Sequence, residues 1–211
     1  MAELTIAIPK GRLERETVEL FAAAGLRLDS QCDSRQLACR DESGKTRLIF
    51  VKPSDVPVYV EHGIADCGVV GSDVLFESEA DLLQPLSLDF GCCRIAVAAP
   101  ADRPENRHTM LRVATKYPRI ASRYFGGRGQ PVEIIELSGS VELAPALGLA
   151  DCIVDLVETG RTLRENGLAV TDVIAQSAAQ LVVNRASYQL KAHVIAKLIS
   201  ALKEALVSVK T

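Results

Sequence analysis

The stretch "DCIVDLVETGRTLRENGL", Asp151 to Leu168, decides how the rest of the chain is read. Its first half is a short apolar run, which predicts a buried strand, and its second half reads as a helix. Between them stand two carboxylates, Asp155 and Glu158, followed by Thr159, Gly160, Arg161 and Thr162. A strand that turns into a helix gathers free backbone amides and the positive end of the helix dipole at one point, which suits a phosphate. Gly160 lets the backbone approach closely or turn left-handed, and Thr159 and Thr162 add hydroxyl donors. Carboxylates beside such a cradle would repel an anion unless they face something else. Ribose hydroxyls fit that requirement, so one loop can hold a sugar 5-phosphate, gripping phosphate with amides and the diol with Asp155 and Glu158. A strand ending in Asp before a capped helix is also common scaffolding, and both readings fit this stretch taken alone.

Outward from it, strand and helix signals alternate. "LTIAIP" predicts a buried strand and "GRLERETVELFAAAG" a helix with Leu13, Leu20, Phe21 and Ala24 on one stripe and Gly25 as its stop. "QLACRD" and "TRLIFV" read as a strand pair around the turn "ESGK". "PSDVPVYVEHG" is a short helix closed by Gly63, and the strand "CGVVG" follows. From Arg94 the scheme returns. "RIAVAAP", "LRVAT", "VEIIEL" and "CIVDL" are strands, and "YPRIASRYFGG" and "SVELAPALG" are the helices between them. "VIAQSAAQLVVN" reads as two strands. A final helix is expected over roughly Ser187 to Val209, with Leu190, Val194, Leu198, Leu202 and Leu206 on a stripe packed on the first sheet. This alternation predicts an α/β fold with mixed, mainly parallel sheets and ligands at the strand C-termini. Two lobes are expected: residues 1–91 plus 178–211, and residues 92–177, with a cleft between them.

Length and charge narrow the function. The 211 residues carry a net charge of -3, so no overall basic field recruits nucleic acid. No apolar run approaches the roughly 20 residues that span a bilayer, and "MAELTIAIPKGR" does not read as an export signal. The expected compartment is the cytoplasm, with no membrane or nucleic-acid partner. Cys32, Cys39, Cys67, Cys92, Cys93 and Cys152 form no CxxC pair and read as reduced, mostly buried thiols. His62, His108 and His193 show no ligand spacing, and no protein-held metal is expected. The loop matches neither the GxxxxGK nor the GxGxxG pattern of nucleotide sites.

Five segments in order carry a more specific resemblance: "PKGRL" (Pro9–Leu13), "SDVPVYVEHGIADCGVVGSDVL" (Ser54–Leu75), "VATKYPRIASRYF" (Val113–Phe125), "GSVELAPALGLADCIVDLVETGRTL" (Gly139–Leu163) and "VVNRASY" (Val182–Tyr188). Together they resemble the short form of the ATP phosphoribosyltransferase family over essentially the full chain. The resemblance implies a two-lobed fold like the type II periplasmic-binding proteins, with the site in the inter-lobe cleft. It implies transfer of the phosphoribosyl group from phosphoribosyl diphosphate to N1 of ATP, giving phosphoribosyl-ATP and pyrophosphate, as the first, feedback-controlled step of histidine biosynthesis. Magnesium would accompany the polyphosphates. Partners would be a second catalytic copy and a histidyl-tRNA-synthetase-like regulatory subunit, in a hetero-octamer.

Residue by residue, the resemblance puts Lys10, Arg12 and Arg35 on the pyrophosphate, where a guanidinium fork suits a polyanion. It puts Asp155, Glu158, Thr159, Gly160, Arg161, Thr162 and Leu163 on phosphoribosyl diphosphate. Gly71, Ser72, Asp73, Arg94, Lys116 and Glu142 would face ATP. Adenine N1 already offers a lone pair, so the chemistry needs positioning and charge neutralisation rather than a strong base. Ser72 departs from a frequent lysine of the family, and Ser138 in "LSGS" from a frequent asparagine. Two rival functions remain: a solute-binding protein on the same bilobal fold, and a phosphoribosyltransferase for a different base.

Overall fold

The computed structural model of the protein describes residues 4–30, 32, 36–101 and 110–209. The chain divides into two compact units, residues 1–91 with 178–211, and residues 92–177.

In the first unit, β1 (Leu4–Pro9), β2 (Ala38–Arg40), β3 (Thr46–Val51), β4 (Cys67–Gly71), β5 (Leu83–Ser87) and the returning β11 (Ala179–Val183) form a sheet in the order β2-β3-β1-β4-β11-β5. β1 lies parallel to both β3 and β4. One face carries α1 (Glu14–Ala23) and α8 (Ala192–Val209), with Ile6, Ile8, Leu48, Val69 and Leu181 packed against Leu20, Phe21, Ile195, Leu198 and Leu202. The other face carries α2 (Val56–Glu61), which continues a 3-10 turn at Pro53–Asp55, and α3 (Ser72–Ser78). Helices on both faces explain why β1 and β4 are continuous apolar runs, and each fully buried Leu or Ile contributes about 1.5–3 kcal/mol. α1 starts with Glu14 and Glu16 in its first turn and is stopped by Gly25 at φ +87°, as its sequence predicts.

In the second unit, β6 (Cys93–Pro100), β7 (Leu111–Thr115), β8 (Val132–Glu136), β9 (Cys152–Val157) and β10 (Leu168–Ser177) form a sheet in the order β10-β6-β9-β7-β8. α4 (Pro118–Gly126) covers one face through Ile120, Ala121 and Phe125. The short helices α5 (Leu143–Ala146) and α6 (Arg161–Glu165) cover the other, where Ala144 and Leu163 pack with Ala96, Ala98, Ile153 and Val157.

Both sheets are mixed, as expected. Parallel pairing is confined to β3-β1-β4 in one and β9-β7-β8 in the other, while β2, β11, β5, β10 and β6 join as antiparallel neighbours.

Two other expectations are corrected. The single C-terminal helix is two, α7 (Arg185–Leu190) and α8, separated at Lys191. The interruption has a visible anchor: the buried Asp66 carboxylate accepts from the Ser187 hydroxyl at 2.7 Å, Lys191 Nζ at 2.8 Å and the Thr5 amide at 2.8 Å. Leu190 leaves the predicted stripe and is 85% exposed, while Ile195 takes a buried place in the core. Cys32 and Cys39 are not free thiols but form a disulfide across seven positions, with 5.8 Å between their Cα atoms. Cys67, Cys93 and Cys152 are buried and lie outside this disulfide, and burial pushes the Cys67 thiol up.

Among the described residues, no helix is long and apolar enough to cross a membrane.

Candidate functional site

The parallel strands β7 and β9 end side by side, with Thr115 beside Val154. Thr115 is fully buried, and its hydroxyl donates to the Val154 carbonyl at 2.6 Å while accepting from the Tyr117 amide at 2.9 Å. This pair of hydrogen bonds fixes the backbone on both sides of Lys116. The Lys116 ammonium then lies 3.1 Å from Asp155 Oδ1. Asp155 is 8% exposed and also accepts from the Leu156 amide at 2.7 Å. Burial pushes its carboxyl above the usual carboxylate range; Lys116 and the Leu156 amide offset this only in part, and nearby Glu142 adds to the rise.

The turn after β9 takes the shape its sequence predicts. Gly160 has φ +71°, a left-handed conformation, and directly precedes α6. A Cβ at Gly160 would stand 3.4 Å from Arg164 Nη1 and 3.6 Å from Val157 Cγ1, which are tolerable distances, so the dihedral is what demands glycine. Glu158, Thr159, Arg161 and Thr162 are exposed, and Leu163 is buried beneath them as the anchor of the turn. Both arginines of the helix are occupied: Arg161 Nε donates to Glu165 Oε1 at 2.7 Å, and Arg164 Nη1 donates to the Thr159 carbonyl at 3.1 Å. Glu142 stands at the start of α5 with no side-chain capping bond to that helix. Arg94, in β6, is the register partner of Val157 and is half-buried.

Asp155, Glu158–Leu163, Lys116, Glu142 and Arg94 therefore come together within the second unit, at the ends of β7 and β9 and the start of β6. Thr115, which the sequence reading did not single out, holds Lys116 in place. Its signal was available: a threonine at a strand end, shortly before the proline that opens the next helix.

The remaining candidates lie in the first unit. Lys10 follows β1 and is held through its amide by the Val51 carbonyl at 2.8 Å. Arg12 is exposed and donates from Nη1 to the Gly91 carbonyl at 2.8 Å. Gly91 suits this place, since its φ of +61° strains other residues and an added Cβ would meet Leu13 Cδ2 at 2.1 Å and force that side chain to shift. Gly71 ends β4, and Ser72 and Asp73 open α3 in buried positions. The Ser72 hydroxyl accepts from the Ala178 amide at 3.2 Å, tying α3 to the strand that returns to this unit. Arg35 lies outside the described residues.

Among the described residues, no three His, Cys, Asp or Glu side chains gather where they could hold a metal ion.

The family profile described as HisG, ATP phosphoribosyltransferase, matches residues 52–204. An ATP phosphoribosyltransferase of Caldanaerobacter subterraneus is 50% identical over 202 residues, covering 95% of this chain and 96% of that protein. The ATP phosphoribosyltransferase 2 of Geobacter sulfurreducens is 47% identical over 206 residues, covering 95% and 97%. Among solved structures, the ATP phosphoribosyl transferase (HisG:HisZ) complex of Thermotoga maritima includes a chain that superposes with a TM-score of 0.86 at 38% identity, covering 97% of this chain and 99% of that one. The periplasmic aliphatic sulphonate binding protein SsuA of Escherichia coli shares the fold at a TM-score of 0.61 and 14% identity, covering 98% of this chain and 73% of that one. The buried carboxylate, its lysine and the left-handed glycine turn thus sit on a chain that belongs to the ATP phosphoribosyltransferase family.

Proposed function

We propose that the chain transfers the 5-phosphoribosyl group of phosphoribosyl diphosphate to N1 of ATP, releasing pyrophosphate and forming phosphoribosyl-ATP, as the first step of histidine biosynthesis in the cytoplasm. The observation that carries this reading is the pairing of the left-handed Gly160 turn with the buried Asp155 at the end of β9. The amides and hydroxyls from Thr159 to Leu163 take the sugar phosphate. Asp155 and Glu158 accept from the ribose hydroxyls and hold the ring, so that the anomeric carbon faces the incoming base. Lys10, Arg12 and Arg35 take the pyrophosphate as it leaves, neutralising charge where it develops. Gly71, Ser72, Asp73, Lys116 and Glu142 serve ATP, with Ser72 contributing through its backbone because its side chain is engaged by Ala178.

Magnesium is proposed to arrive on the polyphosphate oxygens, hard oxygen donors of the kind this ion prefers. Bound there, it would lower the negative charge of the leaving group.

The chain is proposed to work as a catalytic homodimer within a hetero-octamer, with a histidyl-tRNA-synthetase-like subunit that carries feedback control by histidine. The similarity to a chain of a HisG:HisZ complex supports a partner of this kind.

The test is pyrophosphate release by the purified chain, alone and with that partner, from phosphoribosyl diphosphate and magnesium with ATP or UTP. Product with ATP and little with UTP is expected. No product in either state with either nucleotide contradicts the proposal, as does an equal rate with UTP.

A further inference from the structure

Arg94 is half-buried, and its Nε is closed off from solvent with no hydrogen-bond partner among the described residues. A buried donor without an acceptor is costly and uncommon, and in a native fold it asks for a group that the described residues do not supply. The surroundings narrow what that group is. In β6, Ala96 and Ala98 pack with Val157 and Leu163, whereas Ile95 and Val97 pack with Ile120 and Phe125. Strand alternation therefore places Arg94 on the face that α6 covers. Its register partner is Val157, the last residue before the Glu158–Gly160 turn, and the next pair along, Ala96 with Asp155, lies on the same face. The two arginines of the turn's own helix already serve Glu165 and the Thr159 carbonyl. Lys116 serves Asp155.

We propose that Arg94 binds the terminal phosphate of the sugar, and so is a binding residue for the phosphoribosyl donor rather than for the ATP phosphates to which the sequence reading assigned it. The inference rests on the phosphoribosyl-transfer reading above. An arginine fork offers a planar, charged pair of donors, which suits a phosphate monoester better than a single ammonium. Arg94 thus contributes to capture of the donor and is silent towards the acceptor nucleotide.

The experiment compares the full-length chain, with its partner present, against Arg94→Gln and Arg94→Lys. Binding of ribose 5-phosphate and of ribose is titrated calorimetrically, and KM is measured separately for phosphoribosyl diphosphate and ATP. Arg94→Gln is expected to weaken ribose 5-phosphate binding and raise KM for phosphoribosyl diphosphate at least about tenfold, the loss of one charge-assisted contact. KM for ATP should stay within about twofold, and Arg94→Lys should restore part of the loss. The thermal midpoint should not fall, because no described partner of Nε is lost. Unchanged ribose 5-phosphate affinity overturns the inference. So does a rise confined to KM for ATP, or a fall in thermal midpoint in both variants with KM unchanged. In each of these cases the wild-type chain still turns over. A wild-type chain that releases no pyrophosphate instead removes the underlying reading, and the inference with it.

Discussion

The Lys116 ammonium rests 3.1 Å from Asp155 Oδ1, so the carboxylate proposed to hold the ribose is already partnered before any sugar arrives. Burial raises the pKa of Asp155, and Lys116 counters only part of that rise. A raised folded-state pKa contributes stability that is complete below the ordinary carboxylate value and is lost as pH rises through the raised value. Ribose hydroxyls need the ionised acceptor, so the affinity for phosphoribosyl diphosphate should increase with pH across the same window. In Asp155→Asn this dependence should vanish and KM for phosphoribosyl diphosphate should rise about tenfold or more, as one charged hydrogen bond is lost. Titrations from acid to neutral pH on both proteins check this.

Gly160→Ala tests the turn. The alanine methyl has room, but φ +71° does not suit it. Stability should fall by about 1–2 kcal/mol, read by urea unfolding. KM for phosphoribosyl diphosphate should rise because the loop amides shift, while KM for ATP is affected less.

Asp66 is the knot of the first unit, joining the start of β1 to α7 and to Lys191 between the two C-terminal helices. Lys191→Met leaves a buried carboxylate without its counter-ion, and unfolding free energy should fall by about 3–5 kcal/mol. Because this knot belongs to the first unit and the proposed sugar-phosphate turn to the second, affinity for ribose 5-phosphate should be unchanged below the melting transition.

The Cys32–Cys39 disulfide closes a short loop. By the chain-entropy argument it contributes about 2–3 kcal/mol. Adding a thiol reductant should lower the thermal midpoint of the wild-type chain, and Cys32→Ser should show the lower midpoint with no further response to reductant. A wild-type midpoint indifferent to reductant would show that the two thiols do not pair in solution.

How much of this could be read from the chain differs by element. β1, β4, β6 and β9 announce themselves as apolar runs, and the Glu158–Thr162 turn announces its shape through Gly160, because these features depend on residues adjacent in sequence. The break at Lys191 is invisible locally. Nothing in "SYQLKAHVIAKL" stops a helix, and the interruption is accompanied by bonds to Asp66, more than a hundred positions away. The Cys32–Cys39 pairing is likewise set by a chain path rather than by a spacing motif. α5 is shorter than "SVELAPALG" suggests, since Ser140 stands in a left-handed conformation at φ +50° and the helix begins only at Leu143. The Lys116–Asp155 pair also escapes sequence reading, as it comes from two strands that pair only in the folded sheet.

A crystal structure of the chain with phosphoribosyl diphosphate and magnesium decides whether the turn after β9 is the sugar site. The sugar phosphate should lie in the Glu158–Leu163 turn, with the ribose hydroxyls on Asp155 and Glu158. A ligand bound elsewhere, with that turn empty and Lys116 still on Asp155, would contradict it.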